Sequence, residues 1–128
     1  MSLFTADQLV AHAIGDYLLQ SDWMATQKTK RSVAALAHVI AYSLPFLLLT
    51  RSPAALAVII GTHFLIDRFR LARFVVWAKN CLGPNRPWAE CAATGYPADR
   101  PQWLSGWLMI IADNLMHVTI NAMALRPQ

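Results

Sequence analysis

Three of the four histidines in this chain have an aspartate four residues away, and each pair lies in a stretch otherwise nearly free of charge. His12 precedes Asp16 in HAIGD, His63 precedes Asp67 in HFLID, and Asp113 precedes His117 in DNLMH. The fourth histidine, His38, has Tyr42 at the same spacing. Four residues along a helix turn through about 400°, so both members of a pair share one face. Burying polar groups is costly unless they meet partners. The pattern therefore calls for several helices that turn their His/Asp faces toward one another.

Composition decides what surrounds those faces. The chain is 56% hydrophobic and 14% charged, against about 25% charged for an ordinary soluble domain. This balance points to a membrane protein or to an unusually apolar soluble four-helix bundle with basic loops; the membrane reading, one domain over residues 1–128, is favoured. Four helical segments are expected, at about 6–21, 33–49, 53–79 and 101–125. Thr5-Ala6-Asp7-Gln8 fits a capping box, and Ser52-Pro53 fits a helix start with proline at the first position. Ser32 is a further capping candidate, and Pro45 should kink the second segment by removing a backbone donor. Residues 80–100, rich in Pro and Gly, read as a loop. Residues 1–20 lack the basic start of a cleaved leader. Cys81 and Cys91 stand without nearby histidines, so free thiols are expected rather than a zinc motif.

A spanning helix needs about 20 apolar residues, and segment 33–49 offers 17 without a formal charge. Nine of the eleven basic residues fall in two regions, Lys28–Arg31 and Arg68–Arg100. By the positive-inside tendency these become basic cytoplasmic loops, which leaves both termini on the outer side. Trp23, Trp77, Trp103 and Trp107 fall at the same expected interface. The expectation is thus an all-α, four-helix transmembrane bundle, multi-pass in a bacterial cytoplasmic membrane. Its partner would be the lipid bilayer, with anionic headgroups at Arg68, Arg70 and Arg73; no nucleic acid is called for.

In that bundle His12, His63 and His117 share one depth, and Asp16, Asp67 and Asp113 lie one turn deeper. His38 falls nearer the aspartates and Tyr42 nearer the histidines. An aspartate at the centre of a spanning helix costs roughly 2.5–3.5 kcal/mol, so something must compensate three of them. A divalent cation, an inert hydrogen-bonded network and a proton relay all remain open. Imidazole and carboxylate are ordinary ligands of zinc, which is favoured, and of iron or manganese. His12, His63, His117 and His38 are the candidate metal ligands, together with Asp16, Asp67 and Asp113. One of those three aspartates would be the catalytic general base of a metal-dependent hydrolase acting on a lipid-like substrate. Gln20 could reach the inner layer, Asn114 and Asn121 could bond across helices, and Arg68 could be a counter-ion. No H-E-x-x-H motif occurs.

The stretches AHAIGDYLLQSDWMA, AHVIAYSLPFLL, HFLIDRFR and IADNLMHVTIN resemble a small bacterial and phage membrane family known only as a domain of unknown function. WAECAATGYPADRPQWL is similar to its phage-type branch. The resemblance covers nearly the whole chain and implies that His12, Asp16, Gln20, His38, His63, Asp67, Asp113 and His117 are signature positions, without implying an activity. A weaker likeness is to membrane-bound metal-dependent hydrolases. Two non-catalytic roles stand beside that one: binding a host membrane protein at the envelope, and conducting protons or ions.

Overall fold

The computed structural model describes residues 2–126. Thr5 opens α1 (Ala6–Ala13) with the expected capping box: its side chain accepts from the Gln8 backbone and the Gln8 side chain accepts from the Thr5 backbone. A π-helical turn (Ile14–Leu18) follows, closed by the Leu19 N–H on the Ile14 carbonyl at 2.9 Å. Next come α2 (Asp22–Gln27), capped by Ser21, and α3 (Ser32–Ser43), which tightens into a 3-10 turn (Leu44–Leu48) around Pro45. Pro45 has no N–H to continue an α-helical ladder. Ser52 caps α4 (Pro53–Phe69) by accepting from the Ala55 backbone. The rest comprises α5 (Ala72–Asn80), the short α6 (Trp88–Cys91) inside the expected loop, and α7 (Gln102–Ala124). No strand occurs among the described residues.

The expected four-helix transmembrane bundle is not what forms. Among the described residues no helix is long and apolar enough to cross a membrane. That finding removes the multi-pass topology, the outer placement of the termini, the cytoplasmic assignment of the basic loops and the location in a bacterial cytoplasmic membrane. Each expected span fails for a local reason. The first breaks at the π-turn, and the second leaves α-helical geometry at Leu44. The third stops at Phe69, because Arg70 adopts a left-handed φ of 52° and α5 begins a separate helix. The fourth, α7, is 23 residues long but carries Ser105, Asp113, Asn114, His117 and Asn121 along its length.

Two compact units divide the chain within α7: one takes in the chain up to Phe69 and resumes at His117, and the other is Arg70–Met116. In the first, Ala11, Tyr42, Phe46 and Ile59 form a buried apolar cluster, with Leu56 and Ala124 packed against it. Gly15 lets the π-turn lie directly on α3. A Cβ there would stand 2.6 Å from the Tyr42 ring and 2.8 Å from its carbonyl oxygen. Gly15→Ala should therefore push the π-turn off α3 and cost at least the roughly 1–3 kcal/mol of ordinary overpacking. Urea melts of the two proteins check this; equal midpoints would contradict so close an approach.

In the second unit, Arg73 donates to the Ala92 carbonyl at 2.9 Å and Arg70 to the Ala93 carbonyl at 2.5 Å. The Trp77 indole donates to the Arg86 carbonyl, and Trp88 stacks on Phe74 at 4.6 Å. Arg70 and Arg73, expected at lipid headgroups, thus tie the 80–100 segment to α5 and the residues just before it.

Candidate metal centre

The first unit brings six of the expected residues together. His12 comes from α1, Asp16 from the π-turn, His38 from α3, His63 and Asp67 from α4, and His117 from the last turns of α7. All six are buried: His38 is 0% exposed, and Asp16, the most exposed, only 7%. The π-turn matters because it carries Asp16 inward to α3 and α4. Such extra-wide turns recur at functional positions in helices.

Four atoms converge at the centre. His38 Nε2 and His63 Nε2 face each other at 2.9 Å. Asp16 Oδ1 lies 3.2 Å from the first nitrogen and 3.3 Å from the second. Asp67 Oδ2 lies 3.1 Å and 3.3 Å from the same two. An ion with bonds of about 2.0–2.1 Å separates neighbouring ligand atoms by about 3.3 Å when tetrahedral and about 2.9 Å when octahedral. The observed spacings span that interval. Asp16 Oδ1 and the two imidazole nitrogens thus meet near a common point, and Asp67 Oδ2, which also pairs with the Lys28 ammonium at 2.6 Å, joins them there. The set Asp16, His38, His63 and Asp67 could hold a metal ion.

The other two histidines stand behind the carboxylates. His117 Nε2 is 3.1 Å from Asp67 Oδ1, the oxygen turned away from the centre. His12 Nε2 is 3.5 Å from Asp16 Oδ2. Asn121 Nδ2 donates to the Tyr42 hydroxyl at 2.6 Å, and that hydroxyl lies 2.8 Å from His12 Nδ1. With Asn121 as donor, the Tyr42 hydrogen can go to His12 Nδ1, which leaves a proton on His12 Nε2 facing Asp16. This outer layer orients the carboxylates as second partners do in metal sites. His38 Nδ1 and His63 Nδ1 lack such partners among the described residues. Stacking holds the His63 ring instead, between Tyr42 at 3.7 Å and His117 at 3.9 Å. Tyr42→Phe should lower metal affinity on the order of tenfold while keeping the stack. Competitive chelator titration measures it; an unchanged affinity would show that the hydroxyl orients nothing.

Lys28, at the end of α2, was not apparent from sequence as a site residue. Its Nζ is 2.6 Å from Asp67 Oδ2 and 3.4 Å from His38 Nε2. A lysine 39 residues from its aspartate carries no spacing signal. Arg68, considered as a counter-ion, instead donates to the Thr29 carbonyl and to Ser32 Oγ, so Ser32 serves that guanidinium and not the helix start. Gln20 is partly buried with its Oε1 unbonded. Asp113 belongs to the other unit and is partly buried, and Asn114 bonds its own helix at the Ile110 carbonyl.

Electrostatics set the protonation of the centre. Burial alone would raise the Asp16 carboxyl, but the close imidazoles of His38 and His63 outweigh it and hold the group far below its ordinary 3.8. Asp67 behaves likewise: burial opposes ionisation, and His117, His38 and His63 overcome it. For His38, burial favours the neutral ring, yet Asp16 and Asp67 prevail and raise it above its ordinary 6.5. The lowered carboxylates stabilise the fold fully above 3.8, and this is lost as pH falls through their folded values. The raised imidazole stabilises it fully below 6.5, and this is lost as pH rises through its folded value. Metal-free protein should therefore be most stable between about pH 4 and 6.5 and weaken on the alkaline side. Denaturant melts across pH test this; a metal-free optimum above pH 8 would contradict it.

A family model described as "Protein of unknown function (DUF3307)" matches residues 4–126. The chain belongs to that family. No curated protein and no solved structure matches it. The DUF3307 match runs from before α1 to beyond α7 and so takes in every residue of the His/Asp centre, but brings no activity with it.

Proposed function

We propose that this protein binds one divalent metal ion, zinc in preference to iron or manganese, through Asp16, His38, His63 and Asp67, and that it is a metal-dependent hydrolase. The observation that carries the reading is the convergence of two imidazole nitrogens and two carboxylate oxygens at 2.9–3.3 Å. The donor set suits zinc, with iron and manganese next. A metal in such a site makes bound water acidic enough to act as a nucleophile near neutral pH. The residues of the chain supply the rest: Asp16 and Asp67 offset the ion's charge, and His12 and His117 hold the carboxylates in place. His12, with Tyr42 behind it, also provides a route for a proton leaving the Asp16 side.

One observation favours a second reading, a metal-free network. Lys28 and a protonated His38 would balance the two carboxylates without any metal. Elemental analysis of purified protein separates the two. The metal reading expects about one zinc, iron or manganese per chain, lost in His63→Ala with helical content retained. Absence of metal, with a melting point indifferent to chelator, would favour the network. The hydrolytic part is tested by cleavage of a panel of phosphate and carboxylate esters, with the rate following metal occupancy.

A further inference from the structure

Lys28 differs from the rest of the cluster in two ways. Among the described residues it is the one lysine or arginine paired with a carboxylate of the centre, and its side chain is 18% exposed, against 9% for Asp16, 3% for Asp67, 1% for His63 and 0% for His38. It therefore marks the side from which solvent reaches the centre. The surrounding turn is cationic. Lys30 and Arg31 are exposed on it, and Arg68 is fastened to it through the Thr29 carbonyl at 2.9 Å. The ammonium sits on Asp67 Oδ2, the same oxygen that faces both imidazole nitrogens. When that oxygen gives its lone pair to a metal, Lys28 loses part of its counter-charge and meets a second positive centre. An anion bridging the two would relieve both.

We infer that Lys28 is an anion-binding residue of the metal-loaded site, and that the ligand is a phosphoryl group held between the metal and Lys28 Nζ. This rests on the metal reading above. It adds the ligand class, a tetrahedral oxyanion, and the side of approach, past the 28–31 turn. A lysine contacts such a group as a point charge with three donors.

Two readouts of one variant should move in opposite directions. Lys28→Gln removes the ammonium that competes for Asp67, so zinc affinity should hold or rise by up to about tenfold. It also removes a charge-assisted hydrogen bond to the anion, so binding of inorganic phosphate to zinc-loaded protein should weaken on the order of tenfold or more. Lys28→Arg should recover most of the phosphate binding. Competitive chelator titration from metal-free protein reads the zinc affinity, and calorimetry on zinc-loaded protein, with occupancy confirmed first, reads the phosphate affinity. Inorganic phosphate and phenyl phosphate run side by side: tighter phenyl phosphate assigns the site to an ester, equal affinity to the free anion.

Unchanged phosphate affinity in a zinc-loaded Lys28→Gln protein overturns the inference and leaves the metal reading standing. Zinc and phosphate affinities that fall together also overturn it, since they indicate a merely structural lysine. Wild-type protein that takes up no metal defeats the metal reading, and this inference with it. Should Lys28→Gln fail to fold, lysine-selective NMR of wild-type protein decides. The Lys28 signal must shift with phosphate in the zinc-loaded state and stay put without zinc; any other pattern rejects the assignment.

Discussion

Asp67→Ala is expected to lower the folding free energy by about 3–5 kcal/mol, the range for breaking a buried ion pair from one side. Asp67 earns this size because four groups face it: Lys28 at 2.6 Å, His38 and His117 at 3.1 Å, and His63 at 3.3 Å. Its removal leaves His38 with Asp16 as the one carboxylate raising it, and strips the Lys28 ammonium of its partner in the interior. The empty volume adds to the loss. Asp67→Asn keeps the shape and removes the charge, so it should recover only part of the stability and none of the metal binding. Denaturant melts of both variants, in chelator, check the metal-free cost. A loss below 1 kcal/mol for Asp67→Ala would mean that the cluster is not organised around this carboxylate.

Stripping the metal is the second large effect. An ion that binds only the folded chain stabilises it by about 4.1 kcal/mol at a free concentration 1,000 times its Kd. For a chain of this size that corresponds to a drop in Tm of roughly 10 °C or more on chelation. The loss should be steeper at pH 8 than at pH 6. At pH 6 the raised His38 keeps a proton that partly substitutes for the ion in balancing Asp16 and Asp67, and protons compete with metal for that nitrogen. Melts with and without chelator at the two pH values measure this. A Tm indifferent to chelator in protein shown to carry metal would place the ion elsewhere.

The inward residues were legible because helical spacing is local. His12 with Asp16, and His63 with Asp67, each follow the four-residue repeat; His63, Asp67 and Asp16 reach the centre, and His12 lies beside Asp16. His38 and Tyr42 divide as the spacing implied, one toward the aspartates and the other toward His12. What misled was hydropathy. The exposed apolar residues Val33, Leu36, Ile40, Leu44 and Leu48 make the second segment read as a span, while the break at Leu44 depends on how the Pro45 turn is accommodated. The end of α4 carries even less warning. Arg70 takes a left-handed conformation usually reserved for glycine or asparagine, in a stretch, DRFRLAR, with no punctuating residue. Which member of the His12/Asp16 pair comes closest to the centre was left open by the sequence. The spacing made both histidines and aspartates candidate ligands; the π-turn brings Asp16 to the centre and leaves His12 behind it. Lys28 was hidden for the opposite reason, since its place depends on the path of the chain between α2 and α3.

X-ray absorption at the metal edge of the purified, metal-loaded protein addresses the proposed centre at its atoms. The expected spectrum shows only nitrogen and oxygen neighbours at about 2.0–2.2 Å, with the outer-shell scattering of two imidazoles, and it loses one imidazole in His38→Ala. A sulfur neighbour at about 2.3 Å, which would point to Cys81 or Cys91, or a spectrum unchanged in His38→Ala, would contradict a site built from Asp16, His38, His63 and Asp67.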